Sequence, residues 1–277
     1  FQWDHTCSRD LAGLERAAYE QSRGAVDAVK DLIGDFELLN EAQLRPEVQR
    51  EVPWNSVGTS VAPYAGKACV ASLAAALRGM SRAVRDVAAA SGLPLRIILG
   101  VVGREFGFLT AMQQQGVQFD VVGFHVYPHH HQASLLSDPW YGPGGPLAQL
   151  AAFGKPVHIN EMNCGEIYRD AYENEPGKPV TESCLRSLAK HLGDLRSQAV
   201  ARIESVHIYE LLDEPAKQPP ESRFGLMYEL GRPKPHLALV TAFAGAPITQ
   251  AEESELTGRK LLDAAQIAAM RRPRALP

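Results

Sequence analysis

Short apolar runs alternate with longer amphipathic stretches along most of this chain. Five nearly continuous apolar runs stand out: Phe36–Asn40, Leu95–Val102, Phe119–Tyr127, Pro156–Asn160 and Ile203–Leu211. Unbroken runs of this length predict strands buried on both faces, which is how the strands of parallel sheets read. Between them the apolar residues recur every three or four positions. Leu14, Ala18, Val26 and Val29 form one stripe, and Val70, Leu73, Leu77, Met80, Val84 and Val87 form another within 65–91. Gly92 and then Pro94 stop the second, as a helix C-terminus requires. Leu185, Leu188, Leu192 and Leu195 make a third stripe, with Thr181 placed to cap its start.

Strand–helix alternation predicts an α/β fold on a parallel sheet, either an open doubly wound sheet or a barrel. Periodicity does not separate the two. No glycine-rich turn of the dinucleotide or phosphate-loop kind follows any strand, so a (β/α)8 TIM-barrel type is preferred. The Pro/Gly-rich stretches 138–146 and 214–220 follow strand ends and read as long βα loops. One barrel domain over 1–250 is expected, followed by a helical tail over 251–277 that reads as a solvated terminal helix ending in Arg271, Arg272 and Arg274.

Length and composition change this picture little. The chain has 277 residues, 45% hydrophobic and 22% charged, with a net charge of -4, ordinary values for a domain with a sizeable core. That balance offers no electrostatic surface for nucleic acid or an anionic membrane. No apolar run reaches the ~18 residues that would cross a bilayer. No charged segment followed by an apolar one marks a signal peptide at the start. Cys7, Cys69, Cys164 and Cys184 lack metal-ligand spacing. They are either reduced core thiols or one or two disulfides, and a domain of this size favours the reduced reading.

The chemistry rests on two acids. Phe36-Glu37-Leu38-Leu39-Asn40-Glu41 is an apolar strand that ends in Asn-Glu, and Val157-His158-Ile159-Asn160-Glu161 ends the same way. An acid at the end of a buried strand costs free energy unless it is paired or used, and barrel active sites lie at the C-terminal strand ends. Two facing carboxylates are what glycosidic cleavage needs, one protonated to donate to the leaving oxygen and one ionised to attack the anomeric carbon. Either acid alone reads equally as a helix cap or an ion-pair partner. Two such ends with His125-x-Tyr127 between them favour chemistry.

These segments resemble the clan A glycoside hydrolases. Residues 36–41 resemble the strand-4 motif, especially its Phe-Glu-Ile-Trp-Asn-Glu-Pro form in family 39, and the chain as a whole looks like a retaining β-glycosidase of the family 39 or family 5 kind. The resemblance implies a substrate 2-hydroxyl contact for Asn40 and the general acid/base role for Glu41. His125-Val126-Tyr127 matches the strand-6 His-x-Tyr, whose tyrosine touches the nucleophile, and Pro156–Glu161 matches strand 7, making Glu161 the nucleophile. Ile208-Tyr209-Glu210-Leu211, Phe224-Gly225-Leu226 and Pro233-Lys234-Pro235 look like strand 8 and its exit. Ala42 stands where the family carries proline, Tyr209 or Glu210 where many relatives place a tryptophan, and the strand-2 arginine has no counterpart. The resemblance favours a secreted or periplasmic protein and implies no cofactor.

Further candidates follow from position. Trp54, Trp140 and Tyr141 lie in loops on the expected active face and suit stacking on sugar rings, or simple loop packing. Glu37 is expected to form a structural pair inside the barrel. His129, His130 and His131 are adjacent on a loop and cannot all face one ion, so no metal site is expected. The rival readings are a non-catalytic carbohydrate-binding or scaffold protein on a degenerate glycosidase fold, and a metal-dependent hydrolase built on the histidine run. Only forty residues precede Glu41, too few for the three strands and helices that precede it in the clan. Phe1–Thr6 supplies at most one strand. An incomplete barrel of five or six strands is expected, open between the strand near Phe1 or Phe36 and the last one, and either joined across that opening into a homo-oligomer or trimmed from a full-length barrel. The expected partners are an oligo- or polysaccharide and other copies of the chain.

Overall fold

The computed structural model describes residues 7, 9–54, 56–127, 134–163, 181–218 and 221–271. The predicted strand at Phe1–Thr6, the histidines 129–131, Cys164, and Arg272 and Arg274 of the basic cluster lie outside the described residues. Strands form in all five predicted segments, though the first stops at Glu37, short of the expected end at Asn40: β1 (Asp35–Glu37), β2 (Arg96–Val102), β3 (Val121–Val126), β4 (Val157–Met162) and β5 (Ile203–Ile208). They form one sheet in the order β1-β2-β3-β4-β5. The helices are α1 (Leu11–Val29), α2 (Pro46–Glu51), α3 (Ala68–Ser91), α4 (Phe106–Gln114), α5 (Gly145–Ala151), α6 (Thr181–Ser197), α7 (Pro235–Phe243), α8 (Gln250–Gly258) and α9 (Ala264–Met270). The chain packs as two compact units. One comprises 1–125, 139–160 and 200–206, and the other 126–138, 161–199 and 207–277.

The first unit holds the body of the sheet, and its strand order decides between the two α/β architectures. A doubly wound sheet reverses strand order at a switch point. Here chain order and sheet order coincide, so every crossover runs the same way, and right-handed crossovers then place α3, α4 and α5 on one face. The other face is concave. On it, Arg96 at the start of β2 donates to both carboxylate oxygens of Asp35 on β1, at 2.6 and 2.7 Å, and to Glu204 on β5 at 2.6 Å. In a flat sheet β1 and β5 would stand ~19 Å apart, so a single guanidinium touching both requires barrel-type curvature. Arg96 holds the Asp35 and Glu204 carboxyls below the usual carboxylate range. Five parallel strands make this an incomplete barrel. β1 and β5 are its edges, with no further strand beside either among the described residues.

The central strands are buried along nearly their whole length, as their apolar runs predict. β5 departs from that reading. Its residues alternate and several are exposed, because an edge strand has a neighbour on one side only. Helix α3 ends at Gly92, whose φ of 70° puts it in the left-handed region where glycine carries no steric cost. α1 lies against α3, with Ala18 and Val26 buried and Glu15 bridging Arg78 and Arg82. Cys7 and Cys69 form a disulfide that ties the chain before α1 to the start of α3. Cys184 is also disulfide-bonded, and none of the described cysteines is free. The reduced reading is therefore corrected: spacing in sequence carries no information on which thiols a fold brings together.

The second unit gathers α6 to α9 and a two-stranded hairpin, β6 (Met227–Glu229) and β7 (Arg232–Pro233). The tail is helical as expected, but it is not a solvated helix. It folds as α8 and α9, each started by a capping box, at Thr249/Glu252 and Asp263/Gln266. Leu256, Leu262, Ile267 and Met270 are buried. His236 in α7 is 7% exposed and lies 3.4 Å from the Cys184 sulfur. Burial, with Lys234 and Arg259 adding to it, pushes the imidazole from 6.5 down to about 3. Between those values the unfolded chain binds a proton that the folded one refuses. Stability from this site is thus whole above pH 6.5 and falls as pH drops toward 3, at about 1.4 kcal/mol per unit. Denaturant unfolding of His236→Leu at pH 7 and pH 5 should show a smaller pH loss than the native chain; an equal loss removes the assignment.

Candidate active site

The two candidate carboxylates fall in different units, and each has its own surroundings. Glu41 follows β1 and turns the chain into the 3-10 segment Ala42–Leu44, its carbonyl accepting from the Leu44 amide at 2.8 Å. Its backbone is left-handed, with φ 45° and ψ 47°, a conformation few residues other than glycine and asparagine hold. The turn is pinned by Ala42 and Gln43, both buried; the Gln43 amide donates to the Val102 carbonyl at the end of β2. Ala42, where the family resemblance calls for proline, is thus a tightly packed position. The Glu41 Oε1 lies 3.2 Å from Nδ1 of His125, which is 2% exposed on β3. On the other side of that ring, the His125 Nε2 lies 3.8 Å from the Glu37 carboxylate. Glu37 thus faces the ring at a distance longer than a hydrogen bond.

Two glycines make room for this polar layer. Gly100 and Gly123 sit opposite each other in the β2–β3 register. A Cβ on Gly100 would come within 2.3 Å of the Glu37 carboxylate, and one on Gly123 within 2.7 Å of the Asn160 amide nitrogen. Glycine inside an apolar strand is the sequence sign of a close approach, and it was there to be read. Further along, Trp140 stays partly open with the Arg104 guanidinium 5.6 Å over its ring. Tyr141 is buried and packs edge-on to Phe124, so its ring offers no stacking surface and the loop-packing alternative holds for it. Trp54 is 43% exposed and Asn40 is exposed. Glu105, which sequence reasoning passed over, is buried and accepts from the Tyr64 hydroxyl at 2.7 Å. Burial and that carboxylate push the Tyr64 phenol far up.

In the second unit, Tyr127 donates its hydroxyl proton to Glu161. The Tyr127 ring packs 5.5 Å from Phe224, which also carries Tyr209 at 5.7 Å. Asn163, 2% exposed, donates to the carbonyls of Tyr209 and Phe224 and so fixes the two segments together. No residue pattern marked Asn163 in advance. The Tyr209 hydroxyl accepts from Lys217, which also pairs with Glu214; the Glu214 carboxyl is lowered and the Lys217 ammonium raised by this contact. Glu210 is anchored through its backbone, its amide donating to the Phe224 carbonyl and its carbonyl accepting from Leu226. Asp213 holds the buried Lys234 at 2.6 Å and accepts from the Gly225 amide; burial lowers the Lys234 ammonium.

No protein-family model matches the chain, and no curated protein matches it. Solved structures do. The Ignisphaera aggregans GH53 catalytic domain aligns over 84% of this chain and 66% of its own length, at 15% identity and a TM-score of 0.50. A beta-glucosidase from Thermotoga maritima, solved in complex with deoxynojirimycin, aligns over 79% of this chain and 64% of its own, at 14% identity and a TM-score of 0.44. The first likeness shows the fold, a (β/α) barrel of the kind found in a glycosidase catalytic domain. The chain spans less than two thirds of the length of either structure.

Proposed function

We propose that the chain is the catalytic part of a retaining glycoside hydrolase that cleaves β-linked glycans, with Glu161 as nucleophile and Glu41 as general acid/base. One observation carries the reading. A single segment at the end of β3, His125-Val126-Tyr127, supplies a side-chain partner to each of two carboxylates, Glu41 four residues beyond β1 and Glu161 near the end of β4: His125 to Glu41 and Tyr127 to Glu161. A phenol can only donate to a carboxylate, which suits an ionised nucleophile. An imidazole nitrogen can donate or accept, which suits a group that must gain and lose a proton in each cycle. In the first half-reaction Glu41 protonates the leaving oxygen as Glu161 attacks the anomeric carbon; in the second, Glu41 takes a proton from water as the glycosyl-enzyme is hydrolysed. Asn40, Trp54, Trp140, Tyr209 and Glu210 are proposed to line the sugar subsites. A panel of 2,4-dinitrophenyl 2-deoxy-2-fluoro-β-glycosides should add one glycosyl mass to the protein, located on Glu161 by peptide mapping. A label on another carboxylate, or products of inverted anomeric configuration, would overturn the assignment.

A further inference from the structure

The carboxylate on the far side of His125 has no place in the two-acid scheme. Glu37 ends β1, four residues before Glu41, and the two flank one imidazole: Glu41 at 3.2 Å from Nδ1 and Glu37 at 3.8 Å from Nε2. The ring is 2% exposed, so water does not decide where its proton sits. A neutral imidazole carries one N–H and one lone pair, and the partner of each nitrogen selects the tautomer. At 3.8 Å the Glu37 contact is longer than a hydrogen bond, but a carboxylate there still attracts the ring proton to Nε2. Glu37 has room there because Gly100 carries no side chain; a Cβ would fall 2.3 Å from the carboxylate oxygen.

The geometry points to Glu37 as the residue that fixes the Nε2–H tautomer of His125, leaving the Nδ1 lone pair to accept a hydrogen bond from protonated Glu41. Glu37 is then a positioning residue. It acts through His125 to keep Glu41 in the acid form that the leaving group needs. Placing the proton on Nδ1 instead would make the ring donate to Glu41 and stabilise the carboxylate, the wrong state for the first half-reaction. The inference rests on the reading of Glu41 as acid/base.

Two measurements test it. Long-range 1H–15N correlation on labelled protein, with the His125 signals assigned by their loss in His125→Gln, should show the Nε2–H tautomer in the native chain. In Glu37→Gln that preference should be lost, since an amide can donate to Nε2. This arm needs no substrate, and a native ring protonated on Nδ1, or on both nitrogens, overturns the proposal. In kinetics, Glu37→Gln should lower kcat/KM for alkyl glycosides by roughly 10–100-fold, as loss of a group orienting another does, while 2,4-dinitrophenyl glycosides keep theirs to within about threefold because such leaving groups need little acid help. A merely structural residue would depress both alike. Gly100→Ala, which displaces the carboxylate without removing it, should give the same split and stands in if Glu37→Gln does not fold. Glu41→Ala run beside them separates the two ideas. If it lacks the leaving-group split, the acid/base reading fails. If it has the split and Glu37→Gln does not, only the role of Glu37 fails.

Discussion

Glu161→Gln should abolish turnover of every glycoside the native chain cleaves, whatever the leaving group. The substitution keeps the shape of the side chain and the capacity to accept from Tyr127, but an amide oxygen cannot form and release the glycosyl ester. Glu41→Ala should behave differently. Acid assistance contributes about 10²–10⁴-fold, so glycosides with alcohol leaving groups should lose that much. Activated aryl glycosides should keep their first step and stall at deglycosylation, where Glu41 serves as base. Burst kinetics with a 2,4-dinitrophenyl glycoside would show a full burst followed by a slow steady state. If both variants retained full steady-state activity, neither carboxylate would be catalytic.

Much of this arrangement is legible in the sequence, for identifiable reasons. Buried parallel strands have to be apolar throughout, so β2 and β3 announce themselves. The acids that interrupt such runs, Glu41 and Glu161, stand out against them. Barrel and open sheet look identical at this level, because strand order lives in contacts between segments and leaves no periodicity. The ionic layer of Asp35, Arg96 and Glu204 was equally hidden: each is one polar residue at or near a strand start, where solvation is the ordinary reading. Only curvature brings them to a common guanidinium. Glu37 was visible as a charge inside a strand, but its pairing with His125 depends on the Gly100–Gly123 register.

Loss of the Cys7–Cys69 disulfide should be the largest single change in stability. The bond spans 62 positions, and closing a loop of that length removes about 4 kcal/mol of unfolded-chain entropy. Cys7→Ser with Cys69→Ser should therefore lower the melting temperature by about 10 °C, taking roughly 2–4 °C per kcal/mol for a chain of this size. The same loss should follow treatment of the native chain with a thiol reductant, in part through the Cys184 disulfide as well. Calorimetry on the three samples decides it, and a double variant that melts with the oxidised native chain would mean that the bond adds nothing. Disulfides of this kind persist in oxidising compartments.

The backbone at Glu41 sets catalysis and durability against each other at one codon. A left-handed glutamate costs about 1–2 kcal/mol that glycine would not, while the carboxylate it carries is the group on which the proposed chemistry turns. Most positions that drift lose stability, so ordinary selection for a folded protein guards them. At position 41 that guard is weaker: a change to glycine relaxes the turn, offset by the lost contact with the buried His125 ring and by added unfolded-chain entropy.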